Sequence, residues 1–200
     1  MWHSLNAYER GHEIVLDFAG FDEPDELIGE ESQFNQIMRA KLVPRRNPGK
    51  LRRYRIDLKD NRLQETIVDQ GDYEFPALNI HHVTRSHRYG YFAKCVRPMD
   101  VFFNCVVRVD YETGRIDEYD FGDGFYVGEP VFCTVPGHRY DPADVDEPGY
   151  LLVQVANGHT QTSELAILRA QAVAEGPVAV IKHPHHIPLS FHGAWVPGAR

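Results

Sequence analysis

Short runs in which apolar and polar residues alternate cover most of the chain, and turn residues separate them. Residues 12–18 (HEIVLDF), 51–58 (LRRYRIDL), 89–95 (YGYFAKC), 102–110 (FFNCVVRVD), 115–121 (RIDEYDF), 130–135 (PVFCTV), 150–156 (YLLVQVA), 163–168 (SELAIL) and 177–182 (PVAVIK) are rich in β-branched and aromatic side chains. Side chains of that kind suit a pleated surface, and the runs predict about nine strands. Between two of them, Asp110-Tyr-Glu-Thr-Gly114 reads as a turn in which Gly114 takes the positive φ that closes a hairpin. One stretch has helical character, from Pro24 to Lys41. Asp22 is a possible cap, acidic residues come early and Arg39 and Lys41 late, and Leu27, Phe34, Ile37 and Met38 supply a modest apolar face. The segment from Val43 to Lys50 contains two prolines and a glycine and reads as a connection.

No stretch is long and polar enough to divide the chain, so the pattern predicts one predominantly antiparallel β domain with a helical insertion over residues 24–41. Propeller blades, a sandwich and a barrel all satisfy it. A four-stranded blade takes roughly 40 to 50 residues, and on that spacing the chain holds about four.

Composition narrows the chemistry. With 200 residues, 42% hydrophobic and 12% aromatic, the chain can bury a core and is unlike a disordered polymer. Its formal charge of −8 argues against a surface built to neutralise phosphates, and nucleic acid is not an expected partner. Cys95, Cys105 and Cys133 form neither a CxxC pair nor an even set, which fits a reducing compartment and a cytoplasmic location. Apolar runs are too short for a transmembrane segment, and residues 1–30 lack the form of an export signal.

Eleven histidines, scattered rather than grouped as a tag, are the compositional oddity. His3 lies in Trp-His-Ser-Leu-Asn-Ala-Tyr-Glu at the start, and His192 in Phe-His-Gly-Ala-Trp near the end. Either one alone is more simply a packed or solvated side chain than a ligand. Glu74 in Tyr-Glu-Phe-Pro and Glu129 in Gly-Glu-Pro-Val-Phe place carboxylates inside strand-like stretches, where burial is costly without a partner. Each alone reads as a solvated strand end. The more informative partner is the far N–H of a metal-bound imidazole, which a carboxylate commonly orients. His81 and His82 are adjacent, point to opposite sides if the backbone is extended, and read as surface or packing residues. His183, His185 and His186 in Lys-His-Pro-His-His-Ile-Pro look like a metal-binding tract but are not expected to hold a functional metal, and Asp144–Gly149 reads as a solvated acidic turn. Cys95 and Cys105 lie on neighbouring predicted strands and are read as small apolar packers.

The motifs WHSLNAYE, YEFPALN, GEPVF, SELAIL, GPVAVI and PLSFHGAWVP, in this order, resemble the C-terminal half of the carotenoid cleavage oxygenases, a family that includes apocarotenoid oxygenases, lignostilbene dioxygenases and the retinal pigment epithelium isomerohydrolase. The resemblance implies an all-β fold, part of a seven-bladed β-propeller with Fe(II) on its axis, held by four histidines of which three are oriented by glutamates. His3 would be the third of those ligands and His192 the last, with Glu74 behind His3 and Glu129 behind His192. It implies a non-haem Fe(II) dioxygenase that uses O2 to cleave a conjugated C=C bond of a carotenoid, apocarotenoid or stilbene-type substrate into two carbonyl products. The other two histidines, the remaining glutamate and the first blades would precede Met1. Residues 1–200 are therefore expected to be the C-terminal portion of such a domain, inactive alone and open to association through exposed blade edges. The rival expectation is an inactive truncated propeller acting, if at all, as a binding module. A complete small sandwich that binds a protein or sugar leaves the His and Glu motifs unexplained.

Overall fold

In the computed structural model the described residues are 1–23, 32, 35–36, 39, 41, 47–97, 100, 102–141 and 148–196. Most of the helical stretch expected over 24–41 lies outside them, as do Asp144 to Glu147 of the acidic turn. Among the described residues, strands that are neighbours in sequence pair as antiparallel meanders, giving three four-stranded sheets. The first holds β1 (Ser4–Arg10), β2 (Glu13–Gly20), β3 (Lys50–Asp57) and β4 (Arg62–Asp69). The second holds β5 (Asp72–Ala77), β6 (Tyr89–Cys95), β7 (Cys105–Asp110) and β8 (Ile116–Asp120). The third holds β9 (Phe125–Thr134), β10 (Gly149–Asn157), β11 (Thr162–Arg169) and β12 (Pro177–Lys182).

The middle sheet is buried on both faces, which is why β6 and β7 read as nearly unbroken apolar runs. Phe92, Val107 and Val109 pack with Leu5, Ala19, Leu51 and Tyr73 against the first sheet. Their strand neighbours Tyr91, Ala93, Cys95 and Val106 turn the other way, toward Val127, Leu151, Val153, Val155, Ala166 and Leu168 of the third sheet. Stacked four-stranded meanders with an apolar seam at each junction are the blades of a propeller, and the sandwich and barrel alternatives fall away. Backbone bonds stitch the junctions: Tyr73 N–H donates to Gly49 O at 2.8 Å, and Val127 N–H donates to Phe103 O at 2.8 Å. β1, β5 and β9 lie at corresponding edges of their sheets, and β5 touches both of the others, so the motif-bearing strands converge.

Nine expected strands compare with twelve found. β1, β4 and β5 were not anticipated: β4 is an outer strand whose first six residues are exposed, and β5 contains Pro76 beside a register shift. β9 starts at Phe125 rather than residue 130, because Gly128 interrupts an otherwise strand-like pattern. Three blades rather than about four appear among the described residues, since the connection after Gly20 and the tail after Lys182 take up chain that the spacing had assigned to blades. The Asp110–Gly114 turn forms as expected, with Gly114 at φ +74° and its N–H donating to Asp110 O at 2.8 Å.

Candidate metal centre

His3 immediately precedes β1, Glu74 lies in β5, Glu129 lies in β9, and His192 is in the tail that follows β12. These elements bring the four residues together. Nδ1 of His3 lies 2.6 Å from Glu74 Oε2, and the Glu74 side chain is only 1% exposed. Nδ1 of His192 lies 3.4 Å from Glu129 Oε1, a looser approach at a more exposed position. The two imidazole rings meet edge to face with centroids 4.8 Å apart. In both, Nδ1 faces a carboxylate, so a neutral ring with its proton there presents Nε2 as a lone-pair donor.

Local backbone chemistry aims the carboxylates. The pairing of β5 with β6 shifts register between Glu74 and Ala77, and within that irregularity Phe75 has φ 52°, a left-handed conformation that a bulky residue rarely takes. The turn lets Phe75 N–H donate to Glu74 Oε2 at 2.6 Å, beside the bond to His3. Glu74 Oε1 is buried with no hydrogen-bond partner among the described residues. On the other side, Gly193 N–H donates to Glu129 Oε2 at 2.8 Å, which ties the tail to β9 next to His192. The Phe75 ring stacks on His3 at 5.8 Å and contacts His192, Phe103 and Phe191, so the imidazoles sit against an apolar wall. A shallow cavity of about 200 Å³ beside Glu129 is lined by Gly128, Val131, Leu152, Gln154 and Ala194, among others.

The other histidines are elsewhere. His81 and His82 lie in a single 3-10 turn, not in a strand, and both rings turn toward Tyr140, at 4.5 and 5.8 Å; Asn79 caps that turn in place of the extended backbone expected. His183 and His185 are 6.4 Å apart, and among the described residues no group of three or more His, Cys, Asp or Glu side chains is arranged to hold a metal ion. Two imidazoles with tethered Nδ1 atoms fit half of the four-histidine site that the sequence resemblance implies. Cys95, Cys105 and Cys133 are buried thiols, and burial pushes Cys105 up to about 12.

Sequence reasoning passed over a second polar cluster, between the first two sheets. Asn6, Asp17, Arg53 and His87 meet there, with Asp17 fully buried and bound by Arg53 through two hydrogen bonds of 2.7 and 2.9 Å. The signal available was a polar residue at an inward position of each strand, which alternation alone reads as the solvent side.

Blade-like meanders whose edges bring two imidazole–carboxylate pairs together define part of a β-propeller with a candidate metal centre. The family model described as "Retinal pigment epithelial membrane protein" (RPE65) matches residues 1–197, and the chain belongs to this family, the carotenoid oxygenases. It is 27% identical over 196 residues to "Apocarotenoid-15,15'-oxygenase" of Synechocystis, covering 98% of this chain and 38% of that protein. It is 28% identical over 211 residues to "Isoeugenol monooxygenase" of Pseudomonas nitroreducens, covering 98% of this chain and 41% of that one. The solved structure of cobalt-substituted Synechocystis ACO superposes with a TM-score of 0.83 at 27% identity, over 98% of this chain and 39% of that chain. The chain thus spans less than half the length of these relatives. No described helix is long and apolar enough to cross a membrane.

Proposed function

We propose that residues 1–200 are the C-terminal portion of a non-haem Fe(II) dioxygenase that cleaves a conjugated C=C bond of a carotenoid, apocarotenoid or stilbene-type substrate with O2, giving two carbonyl products. The observation that carries the reading is the pair of edge-to-face imidazoles, each with Nδ1 turned to a glutamate. His3 and His192 would hold the metal through Nε2. Ferrous iron bound by neutral nitrogens with open positions supplies O2 activation. Glu74 and Glu129 keep each ring in one tautomer and raise its basicity rather than acting as acid or base. Phe75, Phe103 and Phe191 give the apolar surface that a polyene or stilbene needs, where shape decides more than polar contacts.

On this reading the 200 residues alone are inactive, because the chemistry needs four histidine ligands and only His3 and His192 match the family's ligand motifs. The test is equilibrium binding of Fe(II) under anaerobic conditions to the chain and to its His3→Ala and His192→Ala variants. Weak binding by the parent, diminished in both variants, is expected. Equal binding in all three overturns the shared site, and substrate cleavage by the isolated 200-residue chain overturns its status as an inactive portion.

A further inference from the structure

Resting on that reading, we propose that Asn6 is a positioning residue for His3, locking the strand behind this imidazole to the blade that supplies Glu74. β1 is irregular where it leaves His3: its pairing with β2 shifts register between Ser4 and Asn6. Pairing within the first sheet therefore fixes the approach to His3 weakly, and the stronger constraint comes from across the blade junction.

The Asn6 side chain supplies it. Asn6 is 5% exposed, and its Nδ2 donates to His82 O at 3.0 Å and Arg85 O at 2.8 Å while lying 3.0 Å from His87 Nδ1. Its Oδ1 accepts from Thr84 N–H at 2.9 Å. All four partners lie between β5 and β6, in the connection that follows the Glu74 strand. Thr84 has φ 64°, a left-handed conformation that costs a β-branched residue energy and persists only where surrounding bonds hold it. Asn6 provides one of those bonds. The same junction is backed by Asp17, the cross-strand partner of Asn6, which Arg53 binds and which lies 3.3 Å from His87 Nε2.

One buried amide thus spans the two sheets whose relative placement sets the 2.6 Å distance between His3 Nδ1 and Glu74 Oε2. Asn6 itself lies three residues from His3 in β1, with its polar atoms engaged away from the imidazole pair. Aspartate keeps the acceptor for Thr84 N–H while turning an oxygen toward two carbonyls.

The experiment reads His3 directly. In the 15N-histidine-labelled chain at one neutral pH and without metal, long-range 1H–15N spectra report the tautomer of each ring. The parent is expected to hold His3 with its proton on Nδ1, whereas Asn6→Ala and Asn6→Asp show a mixture at His3. His159, whose Nε2 bonds Asp123 O at 2.8 Å in a different sheet, stays unchanged in both. If Asn6→Ala does not fold, Asn6→Asp combined with Thr84→Gly, which relieves the left-handed residue, replaces it. A folded variant with parental His3 spectra overturns the proposal.

Cobalt(II) affinity gives the second reading. Asn6→Ala is expected to weaken it about tenfold or more, in the range seen when groups behind a metal ligand are lost. In a His3→Ala background the same substitution should cost nothing further, and an undiminished loss there overturns the proposal. A folded parent that binds no cobalt counts against the metal function of this chain, while the tautomer spectra still decide the role of Asn6.

Discussion

Replacing His87 by glutamine should remove a pH dependence of stability that the buried junction builds in. His87 is packed between the first and second sheets, with Tyr8 and Tyr111 rings edge-on at 5.6 and 5.3 Å and Nε2 3.3 Å from Asp17 Oδ2 without hydrogen-bond alignment. Burial, reinforced by the positive charge of Arg53, lowers its imidazole from 6.5 to about 4. A base held below its unfolded value binds fewer protons folded than unfolded between those limits, so stability falls as pH drops from about 6.5 toward 4. Taking the two values through the linkage relation, acidification from pH 8 to pH 5 should cost about 2 kcal/mol at this residue. Asp17 works in the opposite sense, since burial raises its carboxyl against the pull of Arg53 and favours folding as the group takes up a proton. The comparison must therefore be a difference: urea unfolding of the parent and His87→Gln, followed as midpoint and slope at pH 8, 7, 6 and 5. The parent should lose about 2 kcal/mol more than the variant over that span. A difference that stays constant from pH 8 to pH 5 refutes the burial of a neutral imidazole at this junction.

Three further outcomes are expected. Glu74→Gln keeps the size of the side chain but removes the charge facing His3 Nδ1, and should weaken Fe(II) or Co(II) binding about 10- to 100-fold in a calorimetric titration. Phe92→Ala removes a fully buried ring from the seam between the first two sheets and should destabilise the chain by about 3 to 5 kcal/mol in denaturant unfolding. Cys105, fully buried with its thiol pushed up to about 12, should resist iodoacetamide at pH 8 in the native chain and react fully in urea, as followed by mass spectrometry.

The parts of this molecule legible in sequence are those whose signal is local. The PVAVIK, YLLVQVA and SELAIL runs became strands close to the boundaries expected, because each is a short, largely apolar run of strand length. His3 with Glu74 and His192 with Glu129 were legible only through the family resemblance that the short motifs carry, and their meeting follows from the placement of β1, β5 and β9 at converging edges. The Nδ1 orientation and the left-handed Phe75 that aims Glu74 were not legible, since both depend on a register shift that spans two strands.

What alternation misreads is the second face of a blade. It assumes one buried side and one wet side, so Asn6 and Asp17 look like solvent positions beside the buried Leu5 and Phe18. In stacked meanders the polar side of one sheet faces the next blade, and polar groups there must find partners across the junction or pay their desolvation. Asn6 does so through the 82–87 connection, while Asp17 is bound by Arg53 on the adjacent strand of its own sheet. The Asn6 bonds have direction and length, unlike apolar contacts, so they fix the rotation of one blade against the next more sharply than the Phe92 and Val107 seam can. A ligand set assembled from separate blades needs that kind of constraint. The same inward polarity that obscures the fold in sequence is thus what can hold His3 in register with Glu74.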